Sequence, residues 1–149
     1  MKVRVEPVNA IDFTQNIFNS LRTDYPGFDS WAEHVHTDPY GRIAFIATDE
    51  TGQYVGIALS KQETSNGYSE LPNRMLKIST FKVASAYAGQ GLGKALLTKV
   101  LSSSPITPSY VEVFPQHSQV IEFFMRNGFM QLSERSSKGE VVLARLTAS

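Results

Sequence analysis

Apolar Val3, Val5 and Pro7 alternate with polar Lys2, Arg4 and Glu6, which predicts a strand over residues 2–8. The spacing then lengthens. Phe13, Ile17, Phe18 and Leu21 fit a helix, with Asn9 and Asp12 as cap candidates, and Tyr25-Pro26-Gly27 breaks it. Asp29 or Ser30 can open a second short helix carrying Trp31, Ala32 and Val35. Residues 42–48 and 54–59 are apolar runs rich in β-branched and aromatic side chains. The polar turn Asp49-Glu50-Thr51-Gly52 between them predicts a hairpin. Ser65-Asn66-Gly67 and Leu71-Pro72-Asn73 mark a loop before a third run over residues 75–83.

Past residue 90 the period is helical again. Leu92, Ala95, Leu96 and Val100 form a stripe over residues 91–101. A strand over residues 110–114 follows, then a helix over 118–126 with Val120, Ile121 and Phe124 on one face and Gly128 as its stop. Residues 129–132 and 141–146 read as two final strands joined by Ser136-Ser137-Lys138-Gly139. The order β-α-α-β-β-β-α-β-α-β-β predicts one continuous α/β domain over residues 1–149.

Composition narrows the chemistry. A chain of 149 residues can bury a sizeable core without staples. It has no cysteine, which excludes disulfides, thiolate zinc sites and cysteine nucleophiles and suits a cytoplasmic protein. Fourteen basic residues balance fourteen acidic ones, so neither nucleic acid nor an anionic membrane is an expected partner. Arg4 and Glu6 interrupt any signal-peptide core, and no run of about 18 apolar residues exists. His34, His36 and Asp38 lie close together without a plausible fourth ligand, so no metal is expected. The serine clusters at 102–104 and 136–137 lack the strand-turn-helix setting of a nucleophile.

The informative stretch is Ala88-Gly89-Gln90-Gly91-Leu92-Gly93-Lys94, between a strand end and an amphipathic helix. Closely spaced glycines let a ligand approach the backbone, and the N–H groups of a helix start attract phosphate. A dinucleotide fingerprint needs glycine where Lys94 stands. A nucleotide P-loop needs glycine at Ala88 and a hydroxyl at Ala95. Neither fits. A ligand-free turn leaves three glycines at one helix start unexplained.

Residues 83–97 resemble the acetyl-CoA loop of the GNAT (general N-acetyltransferase) superfamily. Its pattern, Arg/Gln-x-x-Gly-x-Gly/Ala, follows a strand-ending apolar residue by five positions. Val83 matches the strand end, Tyr87 is a common residue just before the motif, and Gly91 and Gly93 match the glycines, while Ala88 replaces Arg or Gln. A later motif also fits: the strand Val111-Glu112-Val113-Phe114, then a helix ending in Phe123-Phe124, then Gly128-Phe129.

The resemblance spans the chain. It implies a mixed α/β (α+β) fold with a mostly antiparallel central sheet of about seven strands and helices on both faces. It also implies acetyl-CoA as co-substrate, with direct transfer to a primary amine of a small molecule or peptide. Phe81, Lys82 and Val83 would pair with the pantetheine arm. Residues 88–94, namely Ala88, Gly89, Gln90, Gly91, Leu92, Gly93 and Lys94, would hold the pyrophosphate, with His117 and Phe124 lining the cofactor from the later helix.

The usual proton donor of this family is a tyrosine at the position of Phe124, which has no proton to give. Three alternatives stay open. The thiolate leaves unaided, His117 or Tyr110 donates, or the chain binds acyl-CoA without turnover. Glu112 is the candidate base, directly or through water. Glu63 and Glu70 flank the loop where acceptor residues often lie in the family. Tyr25, Phe28 and Trp31 form either an acceptor wall or core. An acetyltransferase acting on charged tRNA is a further alternative, which the zero net charge disfavours. Many similar proteins pair, so a homodimer is an open expectation.

Overall fold

A computed structural model of the chain describes residues 3–35, 42–104 and 108–146. Seven strands form one sheet: β1 (Val3–Pro7), β2 (Ile43–Thr48), β3 (Tyr54–Glu63), β4 (Met75–Val83), β5 (Ser109–Val113), β6 (Met130–Arg135) and β7 (Val141–Arg145). Their order is β1-β2-β3-β4-β5-β7-β6. The helices are α1 (Asn19–Asp24), α2 (Phe28–His34), α3 (Leu92–Ser102) and α4 (Ser118–Arg126). The ladder of β4 with β5 is parallel, and those of β1–β2, β2–β3, β5–β7 and β6–β7 are antiparallel. By internal contacts the chain forms two compact units, Met1–Ser60 with Thr80–Ser103, and Lys61–Ser79 with Ser104–Ser149.

In the first unit, alternation along β2 and β3 sorts side chains to two faces. Ala44 and Ile46 of β2, with Ile57 and Leu59 of β3, pack with Phe18 before α1 and Phe28 of α2. Gly56 and Ala47 are paired and face α3. A Cβ on Gly56 would lie 2.9 Å from Leu96 Cδ1 and 3.2 Å from Leu92 Cδ2, so glycine there lets the helix pack close. The hairpin register slips at Ala47/Thr48, so that Thr48 faces Tyr54 and Val55 is the extra residue. That bulge returns Tyr54 to the α1–α2 face, where its hydroxyl accepts a hydrogen bond from the Asp12 amide at 3.0 Å.

Several sequence expectations shift here. Asp12 does not cap a long first helix. Its Oδ1 accepts from the Thr14 amide in a local turn, a 3-10 turn follows at Asn16–Phe18, and α1 starts only at Asn19. Asp29 and Ser30 lie inside α2, whose N-cap is Gly27, and Asp29 pairs with Arg22 at 2.7 Å instead. The first strand forms as expected, at the edge of the sheet, with Val5 57% exposed. On α3 the buried stripe is Leu92, Leu96, Leu97 and Val100, and Ala95 faces outward.

In the second unit, β4 and β5 pair over Leu76–Ile78 and Ser109–Val111. Met75, Tyr110, Val142 and Ala144 share a small core with Leu71, against which Tyr68 and Leu132 pack. Phe124 of α4 is fully buried with its ring 5.0 Å from Phe129. Gly128, at φ +90°, ends α4, with amide bonds from Asn127 and Phe129 to the Phe124 carbonyl. Between β6 and β7 the register slips by two residues across Gln131/Arg135. Among the described residues no helix is long and apolar enough to cross a membrane.

Candidate active site

The first unit carries the glycine loop. β4 ends in the half-buried Phe81, Lys82 and Val83, and the Ala84 amide then bonds the Val55 carbonyl at 2.8 Å. A 3-10 turn at Ser85–Tyr87 leads to Ala88. Gly89 and Gly91 follow at φ +77° and +82°, in the left-handed region that a side chain disfavours. A Cβ on either would meet nothing within 4 Å, so the backbone conformation, not crowding, calls for glycine. Gly91 is the N-cap of α3 and supplies no side-chain cap. Among the described residues, nothing accepts from the amides of Gly91, Leu92, Gly93 or Lys94. Four orphan donors, an open face and the positive end of a helix make an anion cradle. Lys94 is exposed beside it, and the Gln90 side chain turns back to bond the Ala86 carbonyl at 3.0 Å.

The second unit carries the titratable cluster. Tyr110 and Glu112 project from one face of β5, two residues apart. The Tyr110 hydroxyl donates to Glu63 Oε1, and Lys61 Nζ lies 3.2 Å from Glu63 Oε2. The Tyr68 hydroxyl donates to Glu112 Oε2, and Lys77 Nζ lies 2.8 Å from Glu112 Oε1. The two Tyr–Glu–Lys groups meet where Tyr68 packs edge-on against Tyr110, ring centroids 5.9 Å apart. Lys77 also sits 5.8 Å over the Tyr110 ring.

Electrostatics assign different states to these groups. Burial pushes the Glu112 carboxyl up, but the Lys77 charge and the hydrogen bonds from Lys77 and Tyr68 outweigh it. The net effect lowers it below the ordinary range. Glu112 is therefore ionised at neutral pH. Burial, reinforced by Glu63, raises the Tyr110 phenol, and burial, reinforced by Glu112, raises that of Tyr68, so both keep their protons.

The remaining candidates are placed as follows. His117 is the half-buried N-cap of α4, its backbone bonded to Phe114 and Ile121. Phe124, expected to line the cofactor, is fully buried, and its ring packs on those of Phe123 and Phe129. Glu70 accepts from the amides of Ser133 and Glu134 at 3.1 and 3.3 Å. Phe28 is core, and half-buried Tyr25 and Trp31 pack against the same cluster. His34 Nδ1 lies 2.8 Å from the Ser30 carbonyl, while His36 and Asp38 lie outside the described residues. Among the described residues no three His, Cys, Asp or Glu side chains gather to hold a metal. Sequence reasoning missed Tyr68 and Lys77. Register would have found Lys77, which pairs directly with Tyr110.

A profile of the acetyltransferase (GNAT) domain matches residues 11–146. The chain belongs to the GNAT acetyltransferase family. The seven-stranded sheet is shared with solved members. A GNAT-family acetyltransferase from Staphylococcus aureus Mu50 superposes with a TM-score of 0.72 at 14% identity, over 97% of this chain and 98% of that one. A protein described as histone acetyltransferase HPA2 and related acetyltransferase, from Corynebacterium glutamicum, gives 0.66 at 20% identity over 100% and 98%. Arabidopsis thaliana NAA60 in complex with acetyl-CoA gives 0.69 at 14% identity over 99% and 100%. The sequence matches no curated protein.

Proposed function

We propose that this GNAT acetyltransferase takes acetyl-CoA as its acetyl donor and delivers the acetyl group directly to a primary amine. The observation that carries the reading is the uncapped start of α3. There, two left-handed glycines open the backbone and four amides have no acceptor among the described residues. Those amides suit the pyrophosphate, and Lys94 adds charge beside them. Phe81, Lys82 and Val83 would offer backbone groups to the pantetheine arm. Acetyl-CoA would supply an activated thioester carbonyl, and NAA60 is a family member seen with that molecule.

Glu112 serves as the base that takes the proton from the acceptor amine, since it is ionised and hydrogen-bonded in place. Tyr110 directs its hydroxyl proton to Glu63, which counts against it as the donor, and His117 is the other candidate. A thiol with a pKa of about 8.5 also leaves tolerably without an acid, so Phe124 does not preclude turnover. The buried Phe124 does favour one rival reading, a module that binds acyl-CoA without turning it over.

The test is a thermal melt with excess acetyl-CoA, NAD or ATP, followed by a free-thiol assay over a panel of amines. A melting shift with acetyl-CoA alone and thiol release with at least one amine are expected. Glu112→Gln should then cut kcat/KM by about 100-fold or more. A shift without thiol release on any amine would select the silent binder, and a shift with NAD or ATP instead would reject the donor assignment.

A further inference from the structure

The loop 64–74 between β3 and β4 is built to deliver one side chain. Asn66 staples it. Its Nδ2 donates to the Pro72 carbonyl at 2.7 Å, its Oδ1 accepts from the Tyr68 amide at 2.9 Å, and Gly67 takes φ +83° to turn the chain. A second set of bonds fastens the loop to β6. The register slip in β6 leaves the Ser133 and Glu134 amides outside the ladder with β7, and the Glu70 carboxylate takes both, with the Ser133 hydroxyl. In return Glu134 Oε1 accepts from the Ser69 hydroxyl at 2.8 Å and the Glu70 amide at 3.2 Å. Two carboxylates thus clasp loop and strand reciprocally, through Ser69 and Glu70, the two residues that follow Tyr68.

What Tyr68 does follows from where its hydroxyl ends. Lys77 holds one oxygen of Glu112 and Tyr68 holds the other. A carboxylate pinned at both oxygens cannot rotate, so its remaining lone pairs keep fixed directions. We propose that Tyr68 is a positioning residue for Glu112, held in place by the clasp that Glu70 and Glu134 form between its loop and β6. The proposal rests on Glu112 being the base, as read above. Tyr68 acts through Glu112 and its own proton stays on the phenol. The other groups facing this pair are Lys77 from β4, Lys138 from the β6–β7 turn, Glu134 and Glu140 from the β6–β7 hairpin, and Tyr110 alongside, itself bonded to Glu63.

The experiment is a pH titration of the glutamate side-chain carboxyl carbons by NMR on the full-length chain, with Glu112→Gln identifying the Glu112 signal. Tyr68→Phe keeps the ring against Tyr110 and removes only the hydroxyl. Its Glu112 midpoint should move up, because a bond favouring the ionised form is gone. Glu70→Ala and Ser133→Ala touch neither Tyr68 nor Glu112, yet should move the midpoint in the same direction by less. With any amine the enzyme accepts, Tyr68→Phe should lower kcat/KM by up to about 100-fold. The acid limb of the pH profile should follow the NMR midpoint, and the KM for acetyl-CoA should stay unchanged. A Glu112 midpoint that stays put in Tyr68→Phe overturns the proposal, and one that stays put in both clasp variants overturns the part played by Glu70. If Glu112→Gln keeps full turnover, the base assignment fails instead, and the titration still decides whether Tyr68 sets the state of Glu112.

Discussion

Gly91 is where backbone strain and ligand binding can be separated. Its φ of +82° costs an alanine or any other L-residue about 1–2 kcal/mol, and the space where a Cβ would go is open. Gly91→Ala and Gly91→Glu therefore share one strain penalty and no clash. In a domain of this size that penalty lowers the melting point of both free variants by roughly 2–8 °C. Bound acetyl-CoA at about 100 times its dissociation constant adds about 2.7 kcal/mol, or roughly 5–10 °C, to the wild type.

The two variants should part company once ligand is added. The alanine methyl stands before the donor amides and weakens the site, so part of the shift survives at higher ligand concentration. The glutamate brings a carboxylate to the place where the pyrophosphate would sit, and the shift should vanish at every accessible concentration. Differential scanning fluorimetry over a ligand series reads both quantities. A Gly91→Glu protein that keeps the full shift refutes the assignment of the loop. Equal losses in the two variants would mean that backbone geometry alone is at stake, and the argument from an anion site would be wrong.

Three other perturbations follow from the packing and the charges. Phe124→Tyr should cost about 1–3 kcal/mol in urea titrations and leave thiol release no faster, since it adds a hydroxyl to a fully buried site. Gly56→Val should cost about 1–3 kcal/mol by crowding Leu92 and Leu96, and should weaken acetyl-CoA binding because Leu92 opens α3. Glu112 has a folded-state pKa below its ordinary value of 4.5, so its contribution to stability is present above that value and is lost as the pH falls through the folded pKa. Lys77→Met removes the main lowering influence, so stability measured by urea between roughly pH 3 and pH 6 should depend less steeply on pH than in the wild type; an unchanged slope would discount the pair.

The sequence carried most of the fold because its signals are short-range. β4 and α4 fall where periodicity puts them, and glycines at 91 and 128 mark a helix start and a helix end as their left-handed torsions require. The misses have a common origin in tertiary context. The helix expected from Asp12 is delayed to Asn19 because Asp12 spends its carboxylate on a local turn and its amide on Tyr54, 42 residues away. The exposure of Val5 was not readable either, because alternation does not distinguish an edge strand from a central one.

The anion cradle was legible for the same reason the helices were. Its donors, its glycines and the start of its helix lie within seven consecutive residues, so composition and order suffice to read it. The cluster of Tyr, Glu and Lys side chains was not. Glu112 and Tyr110 stand out on their strand as a carboxylate and a phenol, but what makes them chemical is supplied by Lys77, Tyr68 and Glu63, between 33 and 47 residues away. An isolated Glu on a strand has an ordinary acidity and a rotating carboxylate. The same Glu, held by an ammonium on one oxygen and a phenol on the other, is ionised and fixed. The charge and orientation of Glu112 are therefore properties of the register of β4 on β5 and of the loop clasped to β6, and substitutions at Ser133 or Glu70, which touch neither Tyr68 nor Glu112, should be felt at its carboxylate.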